Sequence, residues 1–441
     1  MLLPGLVAAG SGEAAVALPP MLFASHHEIT TNLTTYNFTG VGVGVAHANR
    51  RVFFVIGWSS TTSRTVSSVT VGGNAATVLP GGSATSGGYA LAWIDLPAGS
   101  TTTVDVVFSG GTSNCALQVF YTQEADLFLQ GAVPYGPSAS SSINTEEVPI
   151  APDDALLITA ANYAGASGNS LTWAGVGESP SADVNVEASF NLLTYLLVNR
   201  ARSVAAAVFS GSNSNKGAFP VSFGVINPAG KVKETGWWWS NSIAGTITGT
   251  GQGFGKPDAS RIIIVALDWT TTAGNPTLTS ITIGGVGATI VAQTNANNCG
   301  AAIAYASVPT GEFGDVAVTM SSTTHHRSWR VFAAYPATAT PLDSVSNGVA
   351  SATSVALSDL EIASGGFAII AYSQSGTGAD EDATAAWSGT DLPVKVWSRT
   401  PTTTRRHFSW MMKTAANDNT LDMTISSASA LARRAVAASW V

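Results

Sequence analysis

The chain repeats itself, and this self-similarity constrains its fold more than any other feature of the sequence. The segment VTVGGNAATV at residues 69–78 returns as ITIGGVGATI at residues 281–290, an offset of 212 residues (281 − 69). At the same offset, Trp93 corresponds to Tyr305. Agreement in order over such a distance predicts that the chain folds as two copies of one unit.

Other segments of the two halves match at slightly different offsets, as loop insertions and deletions produce. The matched pairs are 51–55 with 261–265 at 210, 155–159 with 367–371 at 212, and 221–225 with 436–440 at 215. The longer matches fall in the first part of each half and the shorter ones in the second part. The sequence therefore predicts four modules in the order A–B–A′–B′.

Turn-forming residues accumulate between the predicted modules and set their boundaries. The predicted organisation is an N-terminal arm at 1–22, module A at 23–130, module B at 131–230, module A′ at 231–336 and module B′ at 337–441. The linkers are short and contain proline, so we expect modules that follow one another in an elongated rod.

Within the modules, apolar residues recur at alternate positions, as in VDVVFS at 104–109 and VAVTMS at 316–321. Residues two apart lie on one face of a strand, so each run can cover a core. Gly-Gly pairs at 72–73 and 284–285 are typical of turns between such strands. The sequence predicts an all-β fold of tandem β-sandwich modules, with Ig-like or jelly-roll-like topology.

Charge and composition argue against several classes of partner. Lys and Arg total 19 against 27 Asp and Glu, a net charge of −8, without the basic clusters that nucleic acid requires. No apolar run is long enough for a membrane span, and no Lys or Arg precedes Arg50, so neither membrane insertion nor classical secretion is expected. Cys115 and Cys299 are the only cysteines, and we expect both to be free thiols.

Three sets of residues resemble ligand sites and fail on spacing. The run at 249–256, GTGQGFGK, has Thr250 where a phosphate loop needs glycine, and is better explained by close backbone approach or a bulge. The pairs His26-His27 and His325-His326 place neighbouring side chains on opposite faces of a strand. The acidic clusters at 153–154 and 380–382 lack the alternation of a calcium loop. We therefore expect no catalytic residue, no cofactor, no metal and no enzyme activity.

Three consecutive tryptophans, Trp237, Trp238 and Trp239, have no tryptophan counterparts in the first half. Alternation places at least one ring on each face of a strand. One interpretation is a core or inter-module contact. The other is an exposed aromatic platform for a sugar ring or a partner subunit.

The segments SVTVGGNAATV at 68–78 and ALAWIDLPAGS at 90–100 resemble modules in virion structural proteins of tailed bacteriophages and gene-transfer particles. This resemblance implies a head decoration, fibre or tail appendage that assembles in the host cytoplasm with other virion proteins and with copies of itself. A trimer is the state that the resemblance favours, and a host-surface glycan is a further partner that it allows. The alternative is an extracellular, bacterial surface protein with a carbohydrate-binding or adhesive role.

Overall fold

The computed structural model describes residues 21–84, 87–122, 127–132, 135–138, 142–144, 148–150, 155–162, 170–174, 183–186, 191–198, 203–210, 216–225, 232–240, 244–271, 274–324, 326–336, 338–375, 384–387, 394–402, 405–413 and 418–441. Over these ranges the regular structure is entirely β, and the paired strands are antiparallel. The predicted all-β class is confirmed.

Module A consists of two facing sheets whose strand pairings are nested. Its strands are β1 (Leu22–Ile29), β2 (Leu33–Gly42), β3 (Arg51–Ser59), β4 (Val66–Val71), β5 (Asn74–Ala75), β6 (Thr77–Ala84), β7 (Gly87–Asp95), β8 (Thr101–Thr112) and β9 (Asn114–Thr122). Strand β1 pairs with β9, β2 with β8 and β3 with β7. The sheets have the orders β1-β9-β3-β7-β6 and β2-β8-β4-β5. A long hairpin rolled up so that its strands alternate between two sheets is a jelly roll.

Module B follows the same plan. Its strands are β10 (Leu127–Ala132), β11 (Tyr135–Ser138), β12 (Ser142–Asn144), β13 (Val148–Ile150), β14 (Ala155–Asn162), β15 (Ser170–Ala174), β16 (Asp183–Val186), β17 (Asn191–Val198), β18 (Ser203–Ser210) and β19 (Lys216–Val225). One sheet has the order β10-β19-β14-β17-β16, with β11 also on β19. The other has the order β12-β18-β13, with β15 also on β18.

Module A′ repeats module A strand for strand. Its strands are β20 (Val232–Ser240), β21 (Ala244–Gly253), β22 (Ile262–Thr270), β23 (Leu278–Ile283), β24 (Val286–Gly287), β25 (Thr289–Ala296), β26 (Cys299–Ser307), β27 (Phe313–Thr324) and β28 (His326–Ala334). The sheet orders β20-β28-β22-β26-β25 and β21-β27-β23-β24 reproduce those of module A.

Module B′ has the topology of module B with longer, continuous outer strands. Its strands are β29 (Asp343–Ile362), β30 (Phe367–Ser375), β31 (Thr384–Trp387), β32 (Val394–Thr402), β33 (Arg405–Lys413) and β34 (Asp418–Trp440). The order is β29-β34-β30-β33-β32, with β31 also on β34. Strand β34 pairs with β31 through its first half and with β30 through its second half, where module B uses β18 and β19.

The predicted tandem of sandwiches in the order A–B–A′–B′ is therefore confirmed. The nested pairings show the topology to be jelly-roll-like rather than Ig-like, and they recur in all four modules. Two residues of the predicted arm belong to module A, because Met21 is buried in its core and Leu22 begins β1. Strand β10 spans the boundary placed between residues 130 and 131. The remainder of the arm lies outside the described residues.

The interior of each A-type sandwich is lined by alternate residues of its central strand. The lining residues are Val52, Phe54, Ile56 and Trp58 on β3, and Ile263, Val265, Leu267 and Trp269 on β22. Strand β3 has eight successive buried residues, so its other face must also be covered.

Module B supplies that cover. Phe53 and Val55 share a core cluster with Leu129 and Phe223 of module B, with the rings of Phe53 and Phe223 4.7 Å apart. An equivalent cluster joins β22 of module A′ to β30 and β34 of module B′. Modules A and B thus pack sheet against sheet, and the rod expected from the short linkers is wrong. Burial of the second apolar face outweighs the separation that proline-containing linkers favour.

Strand registers correct two of the sequence alignments. Phe120 corresponds to Phe332 at the offset of 212. Phe53 lies opposite Phe120, and Ile264 lies opposite Phe332, so Phe53 corresponds to Ile264 and the offset at this strand is 211 and not 210. Arg50, rather than Arg51, is therefore the counterpart of Arg261. The offset is also 211 before this strand, as for Gly40 and Gly251, and becomes 212 at residues 69–78, so the added residue lies in the loop between β22 and β23.

The second correction concerns the last strands of modules B and B′. Ala155 lies opposite Phe223, and Phe367 lies opposite Trp440, so Trp440 is the counterpart of Phe223. The sequence alignment of 221–225 with 436–440 was two residues out. Ring contacts agree with the corrected pairing, because Phe223 packs on Trp93 as Trp440 packs on Tyr305.

Candidate functional site

The three tryptophans lie on β20, an edge strand of module A′ that pairs with β28. Trp238 is half-buried and stacks on Trp329, with ring centroids 4.2 Å apart. A Cβ at Gly249 would lie 2.6 Å from the Trp329 ring, so the backbone approaches this pair closely. The ring of Trp238 therefore contributes to the packing of module A′. The side chains of Trp237 and Trp239 lie outside the described residues.

The glycine-rich segment at 249–256 has the structural role that its spacing predicted. The register of β21 against β27 shifts after Gly249, and Gly251 has a φ of 65°, a conformation that favours glycine. In module A the register of β2 shifts after Phe38, and Gly40 has a φ of 66°. The bulge is therefore a feature of the fold that modules A and A′ share.

The first histidine pair is divided between two environments, as strand alternation predicted. His26 is exposed, whereas His27 is half-buried and its ring lies 6.4 Å from that of Phe38. Burial, with a smaller contribution from His26, lowers the pKa of His27. His325 and the acidic clusters at 153–154 and 380–382 lie outside the described residues. Over the part of the chain that the structure describes, no group of three or more His, Cys, Asp or Glu side chains could hold a metal.

Both cysteines are free, as expected, and both are buried. Burial raises the pKa of Cys299 to about 12 and raises that of Cys115 well above its ordinary value. A thiolate is the nucleophilic and metal-binding form of cysteine, so both residues are poorly suited to catalysis.

Two arginines at equivalent positions are enclosed by backbone carbonyl groups. Arg261 is fully buried and donates to the carbonyl oxygens of Val308 (2.7 Å), Gly255 (2.8 Å), Thr310 (2.8 Å) and Gly311 (2.7 Å). Arg50 donates in the same way to those of Leu96 (2.6 Å), Gly44 (2.9 Å) and Ala98 (2.7 Å). Each guanidinium thus connects a glycine, Gly44 or Gly255, to the loop that follows strand β7 or β26. These cations therefore stabilise the fold and are not presented to a ligand.

A third arginine joins the two halves of the chain. Arg51 donates to Asp95 of its own module at 2.7 Å and to the carbonyl of Leu127 in module B at 2.8 Å. It also donates to Glu312 of module A′ at 3.1 Å, and Trp93 Nε1 donates to the same carboxylate oxygen at 3.1 Å. The junction is largely buried, with 7% of the Arg51 side chain and 16% of the Glu312 side chain exposed.

Apolar contacts extend this junction. Phe313 packs edge-on against Trp93 with ring centroids 5.9 Å apart, and strand β10 contacts β20 and β21. A Cβ at Gly251 would lie 3.3 Å from Leu79 Cδ1. We call Arg51, Leu79, Trp93 and β10 the acceptor surface, and Gly251, Glu312 and Phe313 the docking edge.

Burial raises the pKa of Glu312 above its ordinary value of 4.5, although Arg51 and the Trp93 hydrogen bond favour the charged form. The opposing Asp95 carboxylate acts in the same direction as burial. The junction thus contains a titratable group whose neutral form is favoured by its surroundings.

Sequence reasoning missed this junction because Arg51 and Glu312 are 261 residues apart. The one signal available was a difference between the repeats. The first half has Ser100-Thr101 where the second has Glu312-Phe313, and such a change from polar to charged and aromatic residues indicates a local contact.

Comparisons with known proteins add little to this description. No protein-family model matches the chain, and no curated protein matches it. Latent PorU from Porphyromonas gingivalis is weakly similar, with 10% sequence identity and a TM-score of 0.18 over 47% of this chain and 22% of PorU. An arabinofuranosyltransferase AftD mutant from mycobacteria has 12% identity and a TM-score of 0.11 over 90% of this chain and 40% of AftD. The T=1 particle derived from infectious bursal virus has 9% identity and a TM-score of 0.11 over 97% of this chain and 79% of the viral chain. The chain thus spans about a fifth of the length of PorU. TM-scores this low support no argument about fold or function.

Among the described residues, no helix has the length and apolar character needed to cross a membrane.

Proposed function

We propose that the chain is a non-enzymatic structural protein of a phage-like virion, serving as a head decoration, fibre or tail appendage. The observation that carries this proposal is the construction of the molecule from four jelly-roll modules packed sheet against sheet. Jelly rolls recur in viral capsid proteins and lectins, an analogy at the level of the fold. The resemblance of segments 68–78 and 90–100 to phage virion modules supports the same assignment.

The distribution of charge is consistent with a structural role. The three arginines described above bond to backbone carbonyls or to carboxylates at the junction of the halves, and both cysteines are buried. Charged residues make up 10% of the chain, which suits burial between subunits, where Lys and Glu are depleted. In this proposal the partners are other virion proteins and copies of the chain, with a trimer as the preferred state.

Residues 1–20 serve as the anchor in this proposal, because they are apolar, carry no basic charge and lie outside the repeat. The predicted arm ended at residue 22, but Met21 is 2% exposed and belongs to the core. Deletion of residues 1–20 should therefore leave the modules folded and remove the protein from particles. A matched control is Val286→Ser, which changes an exposed residue of β24 and should be incorporated normally.

Incorporation is measured by quantitative immunoblotting of particles purified by density gradient, with thermal unfolding as the check on folding. Full occupancy of the truncated chain would remove the anchor from the proposal. A full-length chain that never appears in the particle fraction would contradict the virion assignment itself.

The alternative function, a bacterial surface protein that binds carbohydrate, depends on Trp237 and Trp239 of the edge strand β20. A glycan array separates the two proposals. Specific binding that is lost in the double variant Trp237→Ala and Trp239→Ala, combined with absence from particles, would favour the alternative.

A further inference from the structure

The second half of the chain carries a counterpart of the acceptor surface that is more exposed than the acceptor surface itself. In the first half, three positions covered by neighbouring modules are buried to 1% or less, namely Leu79, Trp93 and Leu129. Their counterparts are more open: Val291 and Tyr305 are half-buried, and Leu342 is 38% exposed. Strand pairing supports the match of Leu129 with Leu342. Leu129 lies opposite Phe223. Asp343 lies opposite Ser439, so the preceding residue, Leu342, lies beside Trp440, the counterpart of Phe223.

The first half, in turn, carries an exposed counterpart of the docking edge. Gly40, Ser100 and Thr101 correspond to Gly251, Glu312 and Phe313, and all three are exposed. The neighbouring Val45 has 63% of its surface exposed, the highest value among the large exposed apolar residues. Gly40 and Gly251 have the same left-handed conformation, with φ of 66° and 65°, so the backbone of the docking edge is reproduced.

We propose that copies of this chain associate head to tail, with the Gly40, Ser100 and Thr101 edge of one copy binding the Val291, Tyr305 and Leu342 surface of the next. The contact between the two halves within one chain is the template for this association. A head-to-tail contact uses different surfaces on its two sides, so repetition closes a ring or extends a filament. The inference deepens the proposed function, since it names the surfaces through which an assembly component meets its own copies.

A second copy of the chain is the expected partner, because the two surfaces repeat the two sides of an interface that already exists within the molecule. The same strands of the same jelly roll supply the edge, and the same two sheets supply the acceptor. Any other partner would have to reproduce the shape of the docking edge independently.

The chemistry of the proposed contact differs from that within the chain in one respect. The ion pair of Arg51 with Glu312 is replaced by Ile262 and Ser100, so the interchain contact has no charge pair at its centre. It should therefore be insensitive to salt between about 0.05 and 0.5 M. It should also be weaker than the intrachain contact, which benefits from covalent linkage.

Two variants block one surface each. Leu342→Glu places a charge on the acceptor surface of the second half, and Thr101→Glu places one on the docking edge of the first half. Val286→Glu is the matched control, because Val286 is 42% exposed on β24, in the sheet β21-β27-β23-β24, which carries neither of the two proposed surfaces. All three residues are exposed, so the melting temperature of each variant should equal that of the wild type.

Sedimentation velocity of the purified chain, at concentrations up to about 1 mM to detect weak association, is the test. Wild type and Val286→Glu should form species larger than a monomer as concentration rises. Each blocking variant alone should remain monomeric. A mixture of the two should form a dimer and grow no further, because each partner retains only one functional surface.

Wild type that stays monomeric throughout would overturn the inference. So would self-association of Leu342→Glu at the wild-type level, or a mixture that does not dimerise. An interface lost in Leu342→Glu and unchanged in Thr101→Glu would indicate a symmetric contact instead, which also contradicts the proposal. Because no particle is present, failure here is separate from failure of the virion assignment, which is tested by incorporation of the chain into particles.

Discussion

The buried arginine at position 261 offers the sharpest test of how the modules are stabilised. Arg261→Met keeps most of the side-chain volume and removes the donors to four carbonyl groups. The bonds to Val308 and Gly255 are buried, whereas Thr310 and Gly311 are exposed and their carbonyls can be hydrated.

A buried acceptor left without a donor costs about 1–3 kcal/mol, so the two buried carbonyls together cost about 2–6 kcal/mol. Loss of the charge offsets part of this, because burial lowers the pKa of Arg261 and so disfavours its charged form. We expect a net loss of about 3 kcal/mol in the stability of module A′. Arg50→Met should cost less, about 1–2 kcal/mol, since its bonds are only partly buried.

Hydrogen exchange resolves the two modules within the intact chain. The amide of Phe254 bonds to the carbonyl of Glu312 at 2.7 Å, and its counterpart Val43 bonds to Ser100 at 2.9 Å. Arg261→Met should accelerate exchange at Phe254 by about a hundredfold and leave Val43 unchanged. Arg50→Met should show the reverse pattern with a smaller effect. Equal exchange at Phe254 in wild type and Arg261→Met would refute the role assigned to the carbonyl cage.

Three further predictions concern packing, thiols and pH. Gly300→Ala should destabilise the chain by about 1–3 kcal/mol, because the added Cβ would lie 2.2 Å from the Trp269 ring; Gly287→Ala, with open space around it, should leave the melting temperature unchanged, and equal melting of the two variants would contradict the packing described. Both cysteines should resist a thiol reagent at pH 8 until the chain is unfolded, and rapid labelling of the native protein would show that they are accessible. Glu312 has a raised pKa, so its stabilising contribution is complete below pH 4.5 and is lost as the pH rises through the raised value. The melting temperature of Glu312→Gln should therefore rise relative to that of wild type as the pH increases from 4.5 to 8. A difference in melting temperature that stays constant across that range would contradict the raised pKa.

The sequence predicted the modules well because their determinants are local. Alternating apolar residues and Gly-Gly turns specify the strands of one sandwich, and the repeat specifies that a second copy exists. Gly249 and Trp238 illustrate this success, since spacing alone indicated a close backbone approach for the first and allowed a core contact for the second.

Packing between modules was not predictable in the same way. The run at 52–58 is apolar on both faces, which indicates that both faces of the strand are covered. The pattern does not identify the module that covers the second face. The junction of Arg51 with Glu312 depends on residues far apart in the chain, and pairing at that distance follows from the fold and not from any local pattern. Because Arg50 and Arg51 are adjacent, the sequence alone likewise did not show which of them is the counterpart of Arg261.

The measurement that tests the proposed function most directly is quantitative mass spectrometry of particles purified from the host that encodes this chain. A virion structural protein should be present at a fixed copy number, a multiple set by the particle symmetry, and should remain through a high-salt wash. Absence from the particles, or trace amounts that vary between preparations, would contradict the assignment.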